Sequence, residues 1–162
     1  MLMTGICGTL HCRRCDSAGS EWSLETLLKK ALRLTVARHT TLRIMAFPVD
    51  IQFVERTEAK LGRKLPLGYV VKMCHANGGE VRTCTDSFRL YPIFDDSDKK
   101  HLKRTCNDVI RETASAQEWP DFPANALAIG DNGGGDKLVL LAEGESERYS
   151  DAIYWWDHET GN

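Results

Sequence analysis

From residue 50 onward the apolar positions fall into an ordered series of helical and strand-like runs. Asp50 stands ahead of Ile51, Val54 and Leu61, and Gly62 comes after them, the pattern of a capped helix with a glycine stop. Pro66 then occupies a first helical position, with Leu67, Val70, Val71 and Cys74 at i, i+3, i+4 and i+7 until Asn77, Gly78 and Gly79 end the run. Tyr69 and Met73 make the other face apolar as well, which predicts a central helix; Gly68 inside it costs about 1 kcal/mol relative to alanine. Residues 80–84 and 88–93 read as short strands joined through Thr85, Asp86 and Ser87. One longer helix comes next, capped by Ser97 or a neighbouring aspartate, with Leu102, Cys106, Val109, Ile110 and Thr113 as its buried stripe and Lys99, Lys100, Lys103, Arg104 and Arg111 in water. Trp119, Pro120, Phe122 and Pro123 form a turn-rich connection.

The last third is strand-like. Residues 126–129 and 138–141 are apolar runs around a turn of glycine and aspartate, and a third run from Ile153 ends in a polar turn. A phosphate-cradling loop needs a helix N-terminus behind its glycines; here Asp131 and Asp136 bracket Gly133, Gly134 and Gly135, and the next segment is a strand. Two carboxylates at the mouth repel a phosphate, so the expected role is a hairpin turn. Asp131, Asn132 and Asp136 offer oxygens to calcium, but the spacing does not fit the twelve-residue calcium loop and no glutamate closes it. Helices first and antiparallel hairpins last predict an α+β fold.

Residues 1–44 differ from the rest. Ser23 caps a short helix with Leu24, Leu27, Leu28 and Ala31 on one stripe, and no turn chemistry ties it to the neighbouring segment. Met45 offers an alternative start, which would make the leader a mis-assigned segment. The expected organisation is therefore an N-terminal extension over 1–44, disordered or mis-assigned, and one domain over 45–162. At 162 residues and 42% apolar content, one substantial core is expected. No apolar run approaches the roughly 18 residues that span a bilayer, and the N-terminus lacks a secretory signal, so a cytoplasmic protein with reduced thiols is expected and no membrane partner.

Charge divides along the chain. Residues 1–44 carry seven Lys/Arg against three Asp/Glu, and residues 45–162 carry fourteen against twenty. The acidic domain disfavours nucleic acid and favours a basic partner. Its carboxylates group as Asp95, Asp96 and Asp98; Asp131 and Asp136; Glu143, Glu145 and Glu147; and Asp157 with Glu159. Of these, Asp95, Asp96, Asp131, Asp136, Asp157 and Glu159 are the candidate partner-binding residues. The grouping Cys7, His11, Cys12 and Cys15 has ligand-like spacing, but a structural zinc site needs a second paired half and the sequence has none, so no metal and no cofactor is expected. Cys74 and His75 are helix neighbours about 100° apart, so a nucleophile and base is not expected from them, and Cys74 reads as a small core residue. His39 and His101 read as surface histidines.

In order, a helix ending in KLG, an LP-initiated helix closing on NGG, RLYPI, an amphipathic helix, IGDNGGGD and YWWDHETG resemble the Smi/Knr-type domain of the SUKH superfamily, over residues 47–162. The resemblance implies a domain that binds rather than catalyses. In bacteria such domains are similar to immunity proteins that neutralise polymorphic toxins, many of them nucleases or deaminases; in fungi and other eukaryotes they are regulatory adaptors, as in cell-wall control. Pro66, Gly78, Gly79, Gly130, Asp131, Gly134, Gly135, Asp136, Trp156, Asp157 and His158 match its motifs and are expected as fold determinants, those from Gly130 onward bordering a binding face. The family commonly continues with another strand and a closing helix past the point where this sequence stops, at Asn162. The expected function is an immunity protein acting by stoichiometric binding to a basic toxin domain. The alternatives are a regulatory adaptor and a metal-binding or redox protein using the N-terminal cysteines.

Overall fold

The computed structural model describes residues 46–161 apart from 84, 143 and 145. The expected leader helix, the Cys7, His11, Cys12 and Cys15 grouping, His39, and the side chains of Cys84, Glu143 and Glu145 lie outside the described residues. Helices α1 (Ile51–Leu61) and α2 (Leu67–His75) precede strands β1 (Gly79–Arg82) and β2 (Ser87–Leu90); α3 (Lys99–Thr105) and α4 (Val109–Ala116) come next, then β3 (Ala126–Asp131), β4 (Lys137–Ala142) and β5 (Tyr149–Trp156). The five strands form one antiparallel sheet in chain order, so the fold is α+β.

Helix α1 starts where the Asp50 carboxylate accepts the Gln52 N–H at 3.0 Å, and it stops at Gly62 in the left-handed region. Helix α2 corrects the predicted stripe. Tyr69 and Met73 are the buried pair, whereas Leu67 and Val71 face outward at 69% and 54% exposure. Both faces of this segment are apolar, so periodicity alone could not choose between them. Packing chose the face with the larger side chains, each buried group of that size contributing about 1.5–3 kcal/mol. Pro66 is the N-cap, one residue before the predicted position.

The Asn77-Gly78-Gly79 turn ties α2 to the sheet. The Asn77 amide donates to the Ile93 carbonyl at 2.8 Å while its oxygen accepts the Ile93 N–H at 2.7 Å. Gly78 and Gly79 stand at φ +93° and +99°, and a Cβ on Gly78 would lie 3.3 Å from the Leu90 carbonyl. The Lys72 ammonium donates to the carbonyls of Ala76 and Gly78, and burial lowers its pKa to about 8.

The single long helix expected after residue 97 is two helices. Asp98, not Ser97, caps α3, accepting the N–H groups of Lys100 and His101 at 2.7 and 2.8 Å. Asp108 then caps α4 through Ile110 N–H at 2.8 Å, and Val109 N–H turns to the Pro92 carbonyl. A side chain that satisfies fresh helix donors competes with helix continuation, which is why the chain restarts here. Leu102 and Cys106, expected in the buried stripe, are exposed; Val109 and Thr113 are buried as expected. Thr113 crosses to the sheet, its hydroxyl accepting the Ala128 N–H at 2.9 Å.

Residues from helices and strands share one core that includes Val54, Tyr69, Met73, Phe88, Leu127 and Trp156. On one face of the sheet a row of register partners crosses all five strands. Glu80 opposes Arg89, Arg89 opposes Asp131, Asp131 opposes Lys137, and Lys137 opposes Trp156. Opposite charges on facing strands attract, so this row alternates favourably until it ends on an aromatic ring. Among the described residues no helix is long and apolar enough to cross a membrane.

Candidate partner-binding face

The β3–β4 turn is built by its own polar side chains. Asp131 accepts the Gly133 N–H and Asn132 accepts the Gly134 N–H, both at 2.8 Å, the local bonds that favour Asx residues in turns. The Asn132 amide also donates to Asp136 at 3.1 Å and to Asp86, ahead of β2, at 2.7 Å. Gly130 is required for a different reason. A Cβ there would lie 2.7 Å from the Arg89 carbonyl, so only glycine lets β2 and β3 approach.

Gly135, at φ +118°, seats the C-terminal turn. A Cβ on it would lie 2.8–2.9 Å from the His158 ring, so the imidazole lies directly against bare backbone. Its Nδ1 is 2.8 Å from the Asp136 carboxylate, which also accepts the His158 N–H at 3.3 Å. The hydrogen bond to Asp136 raises the His158 pKa against the opposing effect of burial. Burial pushes the Asp136 carboxyl up, but bonds from the His158 ring and backbone outweigh it and hold that carboxyl below its ordinary range. Asp157 caps the same turn, accepting the Glu159 N–H at 2.8 Å. Gly161 closes on Asp121, where a Cβ would lie 2.9 Å from the aspartate Cβ.

Trp119 sits above this seat at 40% exposure. Its ring is edge-on to His158 at 5.8 Å and to Trp156 at 6.0 Å, and Phe122 supports Trp156 from the other side at 5.1 Å. Beneath it lies buried Lys137, whose ammonium is 5.8 Å from both the Trp119 and Tyr91 rings and donates to the Tyr91 hydroxyl at 3.2 Å. Burial, reinforced by the charge of Asp131, raises the Tyr91 pKa. The outcome is an indole on a rigid polar and aromatic base, rimmed by the exposed side chains of Glu118, Asp121 and Glu159 and the partly exposed Asp157 and Asp131.

The six candidate acids thus divide. Asp131, Asp136, Asp157 and Glu159 meet at this face. Asp95 and Asp96 lie beyond the far end of β2. Asp95 is 3% exposed and its carboxylate accepts the Ser97 N–H, so it offers no surface to a partner, because the loop before α3 folds around it. Asp96 makes a two-pronged bond to Arg56 at 3.0 and 3.2 Å, and that guanidinium holds its carboxyl below the usual range. Sequence reasoning does not single out Trp119, Lys137, Tyr91 or Phe122 as site residues. A tryptophan in a proline-rich turn is the available signal for the first; the buried lysine leaves none, since its role depends on register. Ligand atoms of Asp136, Asp157 and His158 all lie within 4.8 Å of one another, the metal-compatible grouping among the described residues. Both Asp136 oxygens already accept hydrogen bonds from Asn132 and His158, so they serve the turn.

No curated protein and no solved structure matches the chain. The family model described as SMI1 / KNR4 family (SUKH-1) matches residues 48–162. That family consists mainly of non-catalytic domains that bind proteins, with immunity proteins and cell-wall regulators among them. A match extending from the residues just ahead of α1 to the end of the sequence, over an α+β fold with its glycine turns in place, means that the chain belongs to the SMI1/KNR4 family (SUKH-1).

Proposed function

We propose that this domain is a cytoplasmic immunity protein that neutralises a basic toxin domain, of the nuclease or deaminase type, by stoichiometric binding without catalysis. The observation that supports this reading is the exposed Trp119 on its fixed base inside a carboxylate rim. Interface energy concentrates in a few aromatic anchors, and complementary charge accelerates encounter. A cationic substrate groove is a surface that such a face would cover. Truncation of a central anchor typically costs about 2 kcal/mol or more, so Trp119→Ala should weaken partner affinity roughly thirtyfold through faster dissociation. Glu159→Gln should instead slow association and flatten its salt dependence.

The test is affinity capture of the tagged full chain from its source cells at moderate salt, with mass spectrometry of the proteins that remain bound. The expected result is a stoichiometric partner whose isolated domain kills cells, is silenced by co-expression of this chain, and escapes the Trp119→Ala variant. Recovery of a non-toxic signalling or cell-wall enzyme would overturn the immunity reading in favour of an adaptor.

A further inference from the structure

Helix α3, reached from the end of β2 away from the acidic turn, carries the opposite charge. β2 begins next to Asp86, which is bonded to the turn through Asn132, and the chain leaving its other end reaches Asp96 and then α3. Helix α3 holds Lys99, Lys100, Lys103 and Arg104 in seven residues with no carboxylate among them, and Leu102 in their midst is 42% exposed. Folding favours only part of this arrangement. Lys103 and Arg104 lie in the last turn, where the helix dipole attracts cations, but Lys99 and Lys100 occupy the first turn, where it repels them, and Lys99 with Lys103 are like charges at i, i+4. The fold compensates locally. Asp98 caps the helix, and the Phe47 ring holds the Lys100 ammonium at 4.8 Å and the Arg104 guanidinium at 4.5 Å, with His101 edge-on at 5.1 Å.

A helix that keeps four exposed cations around an exposed leucine, two of them against its own dipole, fits an acidic surface with an apolar side chain at its centre. The domain carries such a surface itself, in Trp119 with Glu118, Asp121 and Glu159. We propose that copies of this protein associate head to tail, α3 and Leu102 of one copy against Trp119 and its acidic rim on the next. The contact joins two different patches, so each open assembly keeps one free end of each kind and grows with concentration, as a chain or until a ring closes, instead of pairing as a two-fold dimer. It also covers the face that another protein would need, so self-association and partner binding compete. The inference rests on the charge and exposure of the two patches and stands independently of what the natural partner is.

Sedimentation velocity of the full chain over a wide concentration range, at about 20 mM and about 0.5 M salt, tests it, since screening shortens from tens of ångströms to a few between those conditions. The expected result is a weight-average mass that at least doubles with concentration at low salt and returns to the monomer at high salt. Lys99→Glu/Lys103→Glu and Glu118→Lys/Glu159→Lys, each folded by circular dichroism, should be monomeric alone and associate when mixed. A monomer at every concentration would overturn the proposal. So would assembly that stops at a dimer, or assembly that survives Lys99→Glu/Lys103→Glu. A labelled single-stranded oligonucleotide that binds the wild type and not Lys99→Glu/Lys103→Glu, without self-association, would assign the helix to nucleic acid instead.

Discussion

Replacing Gly135 by alanine should damage the acidic face more than any other single methyl group in its turn. Two costs combine. At φ +118° an L-residue is strained by about 1–3 kcal/mol. The added Cβ would also lie 2.8 Å from the His158 ring, well inside van der Waals contact, so the imidazole must shift away from Asp136. Overpacking of this kind typically costs about 1–3 kcal/mol. The sum is about 2–6 kcal/mol, and with a urea dependence of about 2 kcal/mol per molar the unfolding midpoint should fall by roughly 1–3 M. Gly133 is the internal control. It has φ +77° with nothing within 4 Å of a Cβ, so Gly133→Ala should cost only the strain of a left-handed residue, about 1–2 kcal/mol. In a His158→Ala background the steric part disappears, and Gly135→Ala should drop toward the Gly133→Ala value. Equal midpoints for the two glycine variants, or no coupling to His158, would refute the seating of the imidazole on Gly135.

The remaining predictions concern the helices, the sheet and pH. Asp108→Ala should destabilise the domain by about 1 kcal/mol in urea titration, because it removes the cap at the break between α3 and α4; an unchanged midpoint would mean that the break does not depend on this side chain. Thr113→Val keeps the shape but leaves the buried Ala128 N–H without its acceptor, at a cost of about 1–3 kcal/mol, with faster hydrogen exchange at Ala128 as the local signature. For the His158–Asp136 pair, the depressed carboxyl contributes stability above its ordinary value of 3.8 and loses it as pH falls through the lower folded value. The raised imidazole contributes below 6.5 and loses its share as pH rises through the higher folded value. The stability difference between wild type and His158→Gln should therefore be largest between 3.8 and 6.5 and shrink at higher pH, and an NMR titration should place the His158 midpoint above 6.5.

Legibility from sequence tracks how local the determining physics is. Asp50 and Gly62 bracket α1 as expected, because a cap and a left-handed stop act within a few residues. The β3–β4 hairpin is readable for the same reason: Asp131 and Asn132 bond to backbone two residues away. The orientation of α2 is not readable, since Tyr69 and Met73 compete with Leu67 and Val71 and only the third dimension decides. Asp108 misleads in the other direction. A continuous apolar stripe spans it, and a single carboxylate overrides the stripe. The candidate site is half visible. Asp131, Asp136, Asp157 and Glu159 lie in turns that the sequence marks, but Asp95 turns inward to support its loop, and the aromatic centre at Trp119 depends on a lysine from β4 and a histidine from the turn after β5.

The row from Glu80 through Arg89, Asp131 and Lys137 to Trp156 bears on how the sheet finds its alignment. Alternation of apolar and polar residues tells a strand which side faces the core, but it is blind to a slip of two residues, which leaves every side chain on its original side. The row is not blind to it. Sliding β2 by two positions against β3 sets Arg89 opposite Ile129 or Gly133, and the same slip of β4 removes Lys137 from Asp131. Four charges on four strands therefore act as the teeth of a key, rejecting near-miss alignments that would bury nearly as much apolar surface. A change to one tooth calls for a matching change on the neighbouring strand, so these positions should vary in pairs.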